Sequence, residues 1–346
     1  MNIKDYGYDE MADDSIARVI TTYKDRFEIV TNKGVFFAKL KKSEFYNKSN
    51  NEFPTTGDFV VIKYIEDGDS QIIKLLNRKT AFYRRASTKD RNNKLHVQHK
   101  QTIAANFDYV FIIQSLNDNF NLRRIERYLS LCYSSKATPV IILTKSDLVD
   151  NPLPYLVEIE NIAPGVDVYA ISVKTNKGLD ELKKYIKKGK IIVLLGSSGV
   201  GKSTLVNCLA GKNIIKTASI RDSDSRGRHT TTSRQLIYLP NGSMVIDTPG
   251  MRELGMWDCE TSIDKTFEEI EKLANMCKFK DCTHTNEPGC AIKEKIESKE
   301  ISEERLNSYL KLKNEMNYNS DSKNYLSEKR KKFKDISKIN KNNRKY

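Results

Sequence analysis

The stretch Gly196-Ser197-Ser198-Gly199-Val200-Gly201-Lys202-Ser203-Thr204 has the GxxxxGK[ST] spacing of a phosphate-binding loop. Glycines at those positions let the backbone curl until its N–H groups point at phosphate oxygens. The start of a following helix adds a favourable dipole. Lys202 then reaches the β and γ phosphates of a nucleotide, and Ser203 becomes a ligand for Mg²⁺. The apolar KIIVLL before the loop and TLVNCLA after it supply the strand and the helix that the motif requires.

Other stretches fit the same chemistry. Asp247-Thr248-Pro249-Gly250 follows the apolar SMVI, so Asp247 stands at a strand end where it can hold Mg²⁺ through water. The Gly250 N–H can meet a γ-phosphate. A plain turn has the same composition, and the pairing with the phosphate loop gives DTPG its weight. Between the two lies RDSDSRGRHTTTSR, polar and arginine-rich, which reads as a switch ordered by the γ-phosphate. One hydroxyl among Thr230, Thr231 and Thr232 can complete the Mg²⁺ shell. Spacing does not single one out; Thr231 is the expected ligand. His229, in the same segment, either positions water and transition-state charge or only meets solvent.

Thr144-Lys145-Ser146-Asp147 follows the apolar PVIIL. The Asp147 carboxylate can accept from both the ring N–H and the exocyclic amine of guanine, a donor pair that adenine lacks. The Lys145 stem can lie along the base, and Thr144 can tie loops together. Alone, the tetrapeptide also reads as a helix cap. Ser172-Val173-Lys174 follows another apolar strand at the place where a loop covering the base is expected, which adds Ser172 and Lys174 to the site.

In the usual order of a guanine-nucleotide domain the phosphate loop comes first. Here TKSD and SVK precede it, and the threonine segment and DTPG follow. A parallel sheet cut after its DTPG switch and rejoined at its old termini has this order, because such termini often lie close together. The pocket is then unchanged while the connectivity differs. The switch leads straight into whatever follows Gly250, so nucleotide state could move the flanking domains.

The elements that must hold these residues follow from patterning. Up to about Arg85 the chain reads as four or five short strands, with a hairpin at NKG. That fits a small closed barrel such as an oligonucleotide-binding fold. From Asn106, apolar strands alternate with helical spacing, which implies a mainly parallel sheet with helices on both faces and sites at the strands' carboxyl ends. Beyond about Glu260 the chain is helical and charged. The expected organisation is a multidomain chain: an OB-like, RNA-binding β-barrel over 1–85 and a basic linker, or a loop ordered on binding, over 86–105. A circularly permuted α/β P-loop GTPase domain follows over 106–258, then a mostly α zinc-binding domain over 259–325 and a basic tail over 326–346.

Cys277, Cys282, His284 and Cys290 put three thiols and one imidazole in a short span. Zn²⁺ favours such a Cys₃His tetrahedron, and four protein ligands leave no open position, which makes the site structural. Ligation would anchor a loop that otherwise lacks a core. Cys132 and Cys208 fall in apolar helical patterns and read as core, and Cys259 stands apart.

With 346 residues, 30% charged and 38% hydrophobic, the composition is that of a soluble globular protein of two or three domains. No run approaches the roughly 18 apolar residues of a membrane span. The N-terminal MNIKDYGYDEMADD is no signal peptide, so a cytoplasmic location without disulfides is expected. Net charge is +14, with eight Lys/Arg and one acid from Arg78 to Gln101, and nine and one from Lys329 to Tyr346. Two basic segments point to a nucleic-acid partner.

With a barrel, reordered motifs and a Cys₃His cluster in one chain, the sequence resembles the ribosome small-subunit-dependent GTPase A family from about residue 15 to 320. The marks are TKSD, GSSGVGKST, GRHTTT, DTPGMRE and CKFKDCTHTNEPGC. The resemblance implies a GTP hydrolase acting late in small ribosomal subunit assembly, stimulated by the subunit and checking its decoding region. The expected partners are that subunit, its rRNA and GTP or GDP, with no membrane, and the expected state is a monomer. The expected cofactors are Mg²⁺ with the nucleotide and one structural zinc. Family positions carry over onto Gly196 to Thr204, Thr144 to Asp147 and the four zinc ligands. The family's switch histidine falls on His229, which favours its catalytic reading. Met251 stands where many regulatory GTPases place a water-orienting glutamine, as an apolar residue does across the family, so slow intrinsic turnover is expected. The long basic tail is less characteristic. Two other readings stay open: an RNA-binding scaffold that holds nucleotide as a structural ligand, and an ATPase or kinase on the same loop, against which Asp147 stands.

Overall fold

Short alternating segments near the N-terminus form β1 (Ile16–Thr22), β2 (Phe27–Thr31), β3 (Gly34–Leu40), β4 (Phe59–Lys63) and β5 (Ser70–Leu75), with a single helical turn, α1 (Lys42–Phe45), after β3. The structure is a computed structural model that describes residues 2–8, 14–88, 97–215, 234–247 and 260–320. The five strands pair in the order β1-β2-β3-β5-β4, and β4 returns to β1 to close the expected barrel. Only the β3–β5 pair is parallel. The inward residues Ala17, Val19, Ile29, Ala38, Val60, Ile62 and Ile72 fill it.

Next come β6 (Ala81–Thr88) and β7 (Val97–Ala105), which pair as a separate antiparallel ribbon. Residues 86–88 and 97–105 are therefore strand, where the sequence suggested a linker. The outer half of a two-stranded ribbon is held by its own ladder and needs no buried face, so it carries no apolar alternation. The base of the ribbon is buried, where Phe82 stacks on Phe107 at 4.8 Å. Arg78 clamps ribbon to barrel: its guanidinium meets both carboxylate oxygens of buried Asp58 at 2.7 and 2.6 Å, and donates to Thr102 Oγ1 at 2.8 Å.

The larger sheet is built from β8 (Tyr109–Ser115), β9 (Thr138–Thr144), β10 (Asp167–Ala170), β11 (Ile191–Leu195), β12 (Arg234–Tyr238) and β13 (Met244–Asp247). The helices α2 (Leu122–Ser135), α3 (Leu153–Ile162) and α4 (Lys202–Ala210) intervene, with a 3₁₀ helix at Leu179–Lys184. Strands β8, β9 and β11 are near-continuous apolar runs because both faces of a parallel sheet are covered. The order is β10-β9-β8-β11-β13-β12, all parallel except β12. β11 is flanked by the two strands, β8 and β13, that begin and end this chain segment. The order of connections reverses there, at the switch point where open sheets of this kind bind ligands.

One relationship had no sequence signal. Thr21 and Thr22 of β1 pair with Gln235 and Arg234 of β12, so barrel and nucleotide sheet form one continuous eleven-stranded sheet. The chain falls into two units, Met1–Leu254, which holds all of these strands, and Gly255–Tyr346. The second unit contains α5 (Glu260–Thr266), α6 (Glu268–Ala274), α7 (Ala291–Glu297) and α8 (Glu303–Ser320). Its core centres on Phe267, fully buried, with the Tyr309 ring 5.6 Å away and the Arg305 guanidinium 4.3 Å over its face.

Candidate nucleotide site and metal centre

The phosphate loop turns from β11 into α4, and its glycines have distinct reasons. A Cβ on Gly196 would lie 2.6 Å from the Ile113 carbonyl oxygen, so only glycine lets the loop leave the sheet there. Gly199 and Gly201 have φ of +77° and +94°, in the left-handed region, and a Cβ on Gly199 would meet nothing within 4 Å. The loop thus opens a backbone cradle at the start of a nine-residue helix, which fits a phosphate group. Lys202 Nζ curls back to the carbonyls of Gly196 and Ser197 at 2.9 and 2.6 Å, which sets its charge against the loop. Ser198 is exposed, Val200 is buried, Ser203 is half-buried in the first turn of α4 and Thr204 is exposed beside it.

Two strands away, β9 ends at Thr144. Its hydroxyl lies 2.6 Å from the Val200 carbonyl and 3.2 Å from that of Gln114, so it ties the TKSD loop to the phosphate loop across β8. Lys145 takes a left-handed φ of 58°, which turns the chain into the 3₁₀ helix Ser146–Leu148. The Ser146 N–H donates to the Ile171 carbonyl at 3.0 Å. Ser172 Oγ donates to Asp147 Oδ1 at 2.6 Å and accepts from the Thr175 N–H at 3.2 Å. Asp147 is exposed yet held in place. The Ser172 hydroxyl keeps its carboxyl below the usual carboxylate range, with the charges of Lys174 and Lys145 adding to the effect.

The structure therefore brings Thr144 to Asp147, Ser172, Lys174 and Gly196 to Thr204 to the carboxyl ends of neighbouring strands. Asp247 is the last residue of β13, in register with Gln235. His229, Thr231 and Gly250, with Thr230, Thr232 and Met251, lie outside the described residues. Sequence reasoning missed two contacts on the phosphate loop. Asn119 Nδ2 donates to Ser197 Oγ at 3.0 Å, and Arg124 Nη1 reaches the same oxygen at 3.1 Å and Asn119 Oδ1 at 2.9 Å. The one local signal was Asn121, which caps α2 by accepting from the Arg124 N–H at 3.1 Å and so fixes that turn beside the loop.

In the second unit the ligand atoms of Cys277, Cys282, His284 and Cys290 lie within 4.8 Å of one another. Cys277 Sγ is 3.9 Å from Cys290 Sγ, and His284 Nδ1 is 3.6 Å from each of them. A tetrahedron with Zn–S bonds of about 2.3 Å has S···S edges of about 3.8 Å, so the set fits zinc. The turn needs a left-handed φ of 60° at His284. Burial lowers the His284 pKa, which favours the neutral, ligating imidazole. Burial and the neighbouring thiols push Cys282 up to about 11.

Comparison with known proteins agrees with this geometry. Residues 76–257 match the RsgA GTPase family. A Listeria innocua protein named small ribosomal subunit biogenesis GTPase RsgA 1 is 43% identical over 89% of this chain and 86% of its own length. A Methanosarcina acetivorans protein named small ribosomal subunit biogenesis GTPase RsgA is 45% identical over 77% of this chain and 71% of its own. Among solved structures, YjeQ from Thermotoga maritima superposes with a TM-score of 0.60 at 28% identity, over 86% of this chain and 96% of its own. The circularly permuted GTPase YloQ shares the fold, with a TM-score of 0.59 at 22% identity over 91% of this chain and 99% of its own. The chain belongs to the RsgA GTPase family.

Proposed function

We propose that this GTP hydrolase turns over slowly alone and faster on the small ribosomal subunit, during that subunit's late maturation. The observation that carries the reading is the joining of Asp147 and the phosphate loop at one sheet edge through the Thr144–Val200 contact. Asp147 accepts from guanine, and Ser172 and Lys174 stand on the loop that covers the base. The backbone of Gly196 to Thr204 and Lys202 hold the phosphates. Asn119 and Arg124 keep Ser197, and with it the loop's first turn, in place. Bound Mg²⁺ supplies charge neutralisation at the phosphates, and Ser203, Thr231 and Asp247 are the residues that would hold it. His229 positions the attacking water.

The names of the relatives support the ribosomal assignment, and the charge of +14 suits an rRNA partner. In this reading the barrel and the basic segments bind rRNA and the protein works as a cytoplasmic monomer. The Cys₃His cluster holds one structural zinc, and 259–325 acts as a zinc-binding domain.

Multiple-turnover phosphate release from GTP, at stated salt, with and without purified small subunits, tests the coupling. Release that rises with subunits in the wild type and not in His229→Ala supports it. An equal rate with and without subunits contradicts it. Met251, which cannot orient water, favours a second reading in which nucleotide is a structural ligand. Absence of multiple turnover even on subunits would support that reading.

A further inference from the structure

The amino ends of the parallel strands, on the edge of the sheet opposite the nucleotide loops, border a cavity of about 620 Å³. Its wall includes Asp108 and Tyr109 at the start of β8, Thr138 at the start of β9 and Ile191 at the start of β11. The seven residues of β9 put it about 20 Å from the phosphate loop. Its charge is mainly positive, with Asp108 the one acid in the wall. Lys4, Lys79, Lys136, Lys188 and Lys190 line it together with Arg18. Lys190 is paired with Asp108 at 2.7 Å and Lys188 with Asp5 at 3.0 Å. Lys4, Lys79 and Lys136 form no ion pair among the described residues.

Arg18 is the unusual group. It is 1% exposed, its Nη2 donates to the Asn106 carbonyl at 2.8 Å, its Nη1 donates to the Tyr6 carbonyl, and it lies 4.4 Å over the Phe59 ring. Its Nε has no partner, and no carboxylate among the described residues lies within ion-pairing distance. A structural role is evident, since it joins the N-terminal segment, the barrel and the nucleotide sheet. The carboxylates of Asp108 and Asp58 act on it at a distance without a direct ion pair, so the cost of burying the cation is only partly offset. This buried cation lies in the wall of a cavity already rich in ammonium groups.

We propose that this cavity binds a phosphate group, either a terminal phosphate of a small ligand or a phosphodiester of an RNA backbone. The volume suits a small ligand or a protruding backbone segment. Arg18 acts through its field and the exposed lysines make the contacts. The site is separate from the phosphate loop, so it stands whether or not the ribosomal reading holds.

The test uses the full chain with its nucleotide site filled by Mg·GDP, and calorimetric titration with inorganic pyrophosphate and with a short oligouridine. The double variant K79E/K136E changes two exposed lysines of the cavity. K280E/K311E is the charge-matched control in the second unit. The expected result is saturable binding of at least one ligand, weakened about tenfold or more by K79E/K136E and little by the control. Loss confined to pyrophosphate identifies a terminal phosphate, and loss confined to oligouridine identifies a backbone. No saturable binding of either ligand, or equal effects of the two double variants, would overturn the proposal. Unchanged GDP affinity in both variants shows that the fold is intact.

Discussion

Ser172 Oγ donates to Asp147 Oδ1 at 2.6 Å, so the loop after β10 holds the carboxylate of the TKSD turn at the end of β9. The contact joins the ends of two adjacent parallel strands, and the Ser146 N–H bond to the Ile171 carbonyl at 3.0 Å runs beside it. In the proposed reading, guanine recognition is thus preorganised by the sheet, independently of where the chain is cut.

The pH dependence of GDP binding follows from that bond. The Ser172 hydroxyl lowers the Asp147 pKa, so the acceptor form persists below the ordinary carboxylate value near 3.9. Binding through Asp147 is present above that depressed pKa and is lost as pH falls through it. Ser172→Ala lets the pKa rise, so binding is lost at higher pH. Affinity at neutral pH also falls, on the order of tenfold, because the carboxylate is no longer held in place. Fluorescent GDP titrations across acidic pH check both effects.

Arg78 and Asp58 form a buried fork whose side chains are 13% and 0% exposed. Arg78→Met leaves the buried Asp58 carboxyl without its direct partner, at an expected cost of about 3–5 kcal/mol. The double variant R78M/D58L leaves no orphan charge and recovers part of that loss. Denaturant unfolding of the three proteins measures the difference. Equal stability of the single and double variants would mean that the clamp contributes shape rather than charge.

Zinc should purify with the chain at about one ion per molecule and be absent from Cys277→Ser and Cys290→Ser. Chelation should expose the loop between Cys277 and Cys290 to proteolysis, since the ligands hold a turn with few apolar contacts. Elemental analysis and limited proteolysis read these outcomes. A protease pattern unchanged by chelation would contradict a structural metal.

What was legible in the sequence was local. Gly196 to Thr204 is one turn between a strand and a helix, and Asp147 stands just past the end of an apolar strand, so both local placements could be read from the pattern. Barrel strands such as β4 showed because buried and more exposed positions alternate along them. The ribbon at Ala81–Thr88 and Val97–Ala105 did not, because its outer ladder needs no apolar face. Contacts between distant positions left no pattern either. Arg78 meets Asp58 twenty residues away, Arg124 meets Ser197 seventy-three away, and Thr22 pairs with Arg234. Each is a polar group satisfied by a partner that only the folded sheet supplies.

The most direct test of the permuted guanine site is the base preference of Asp147→Asn. A carboxylate accepts from the two guanine donors; an amide can instead donate to the second carbonyl of xanthine. Binding of GDP and XDP to the wild type and to Asp147→Asn should therefore show a reversal, with GDP preferred by the first and XDP by the second, each by about tenfold or more. Unchanged GDP preference in Asp147→Asn would contradict the assignment of TKSD to the base and, with it, the rearranged site.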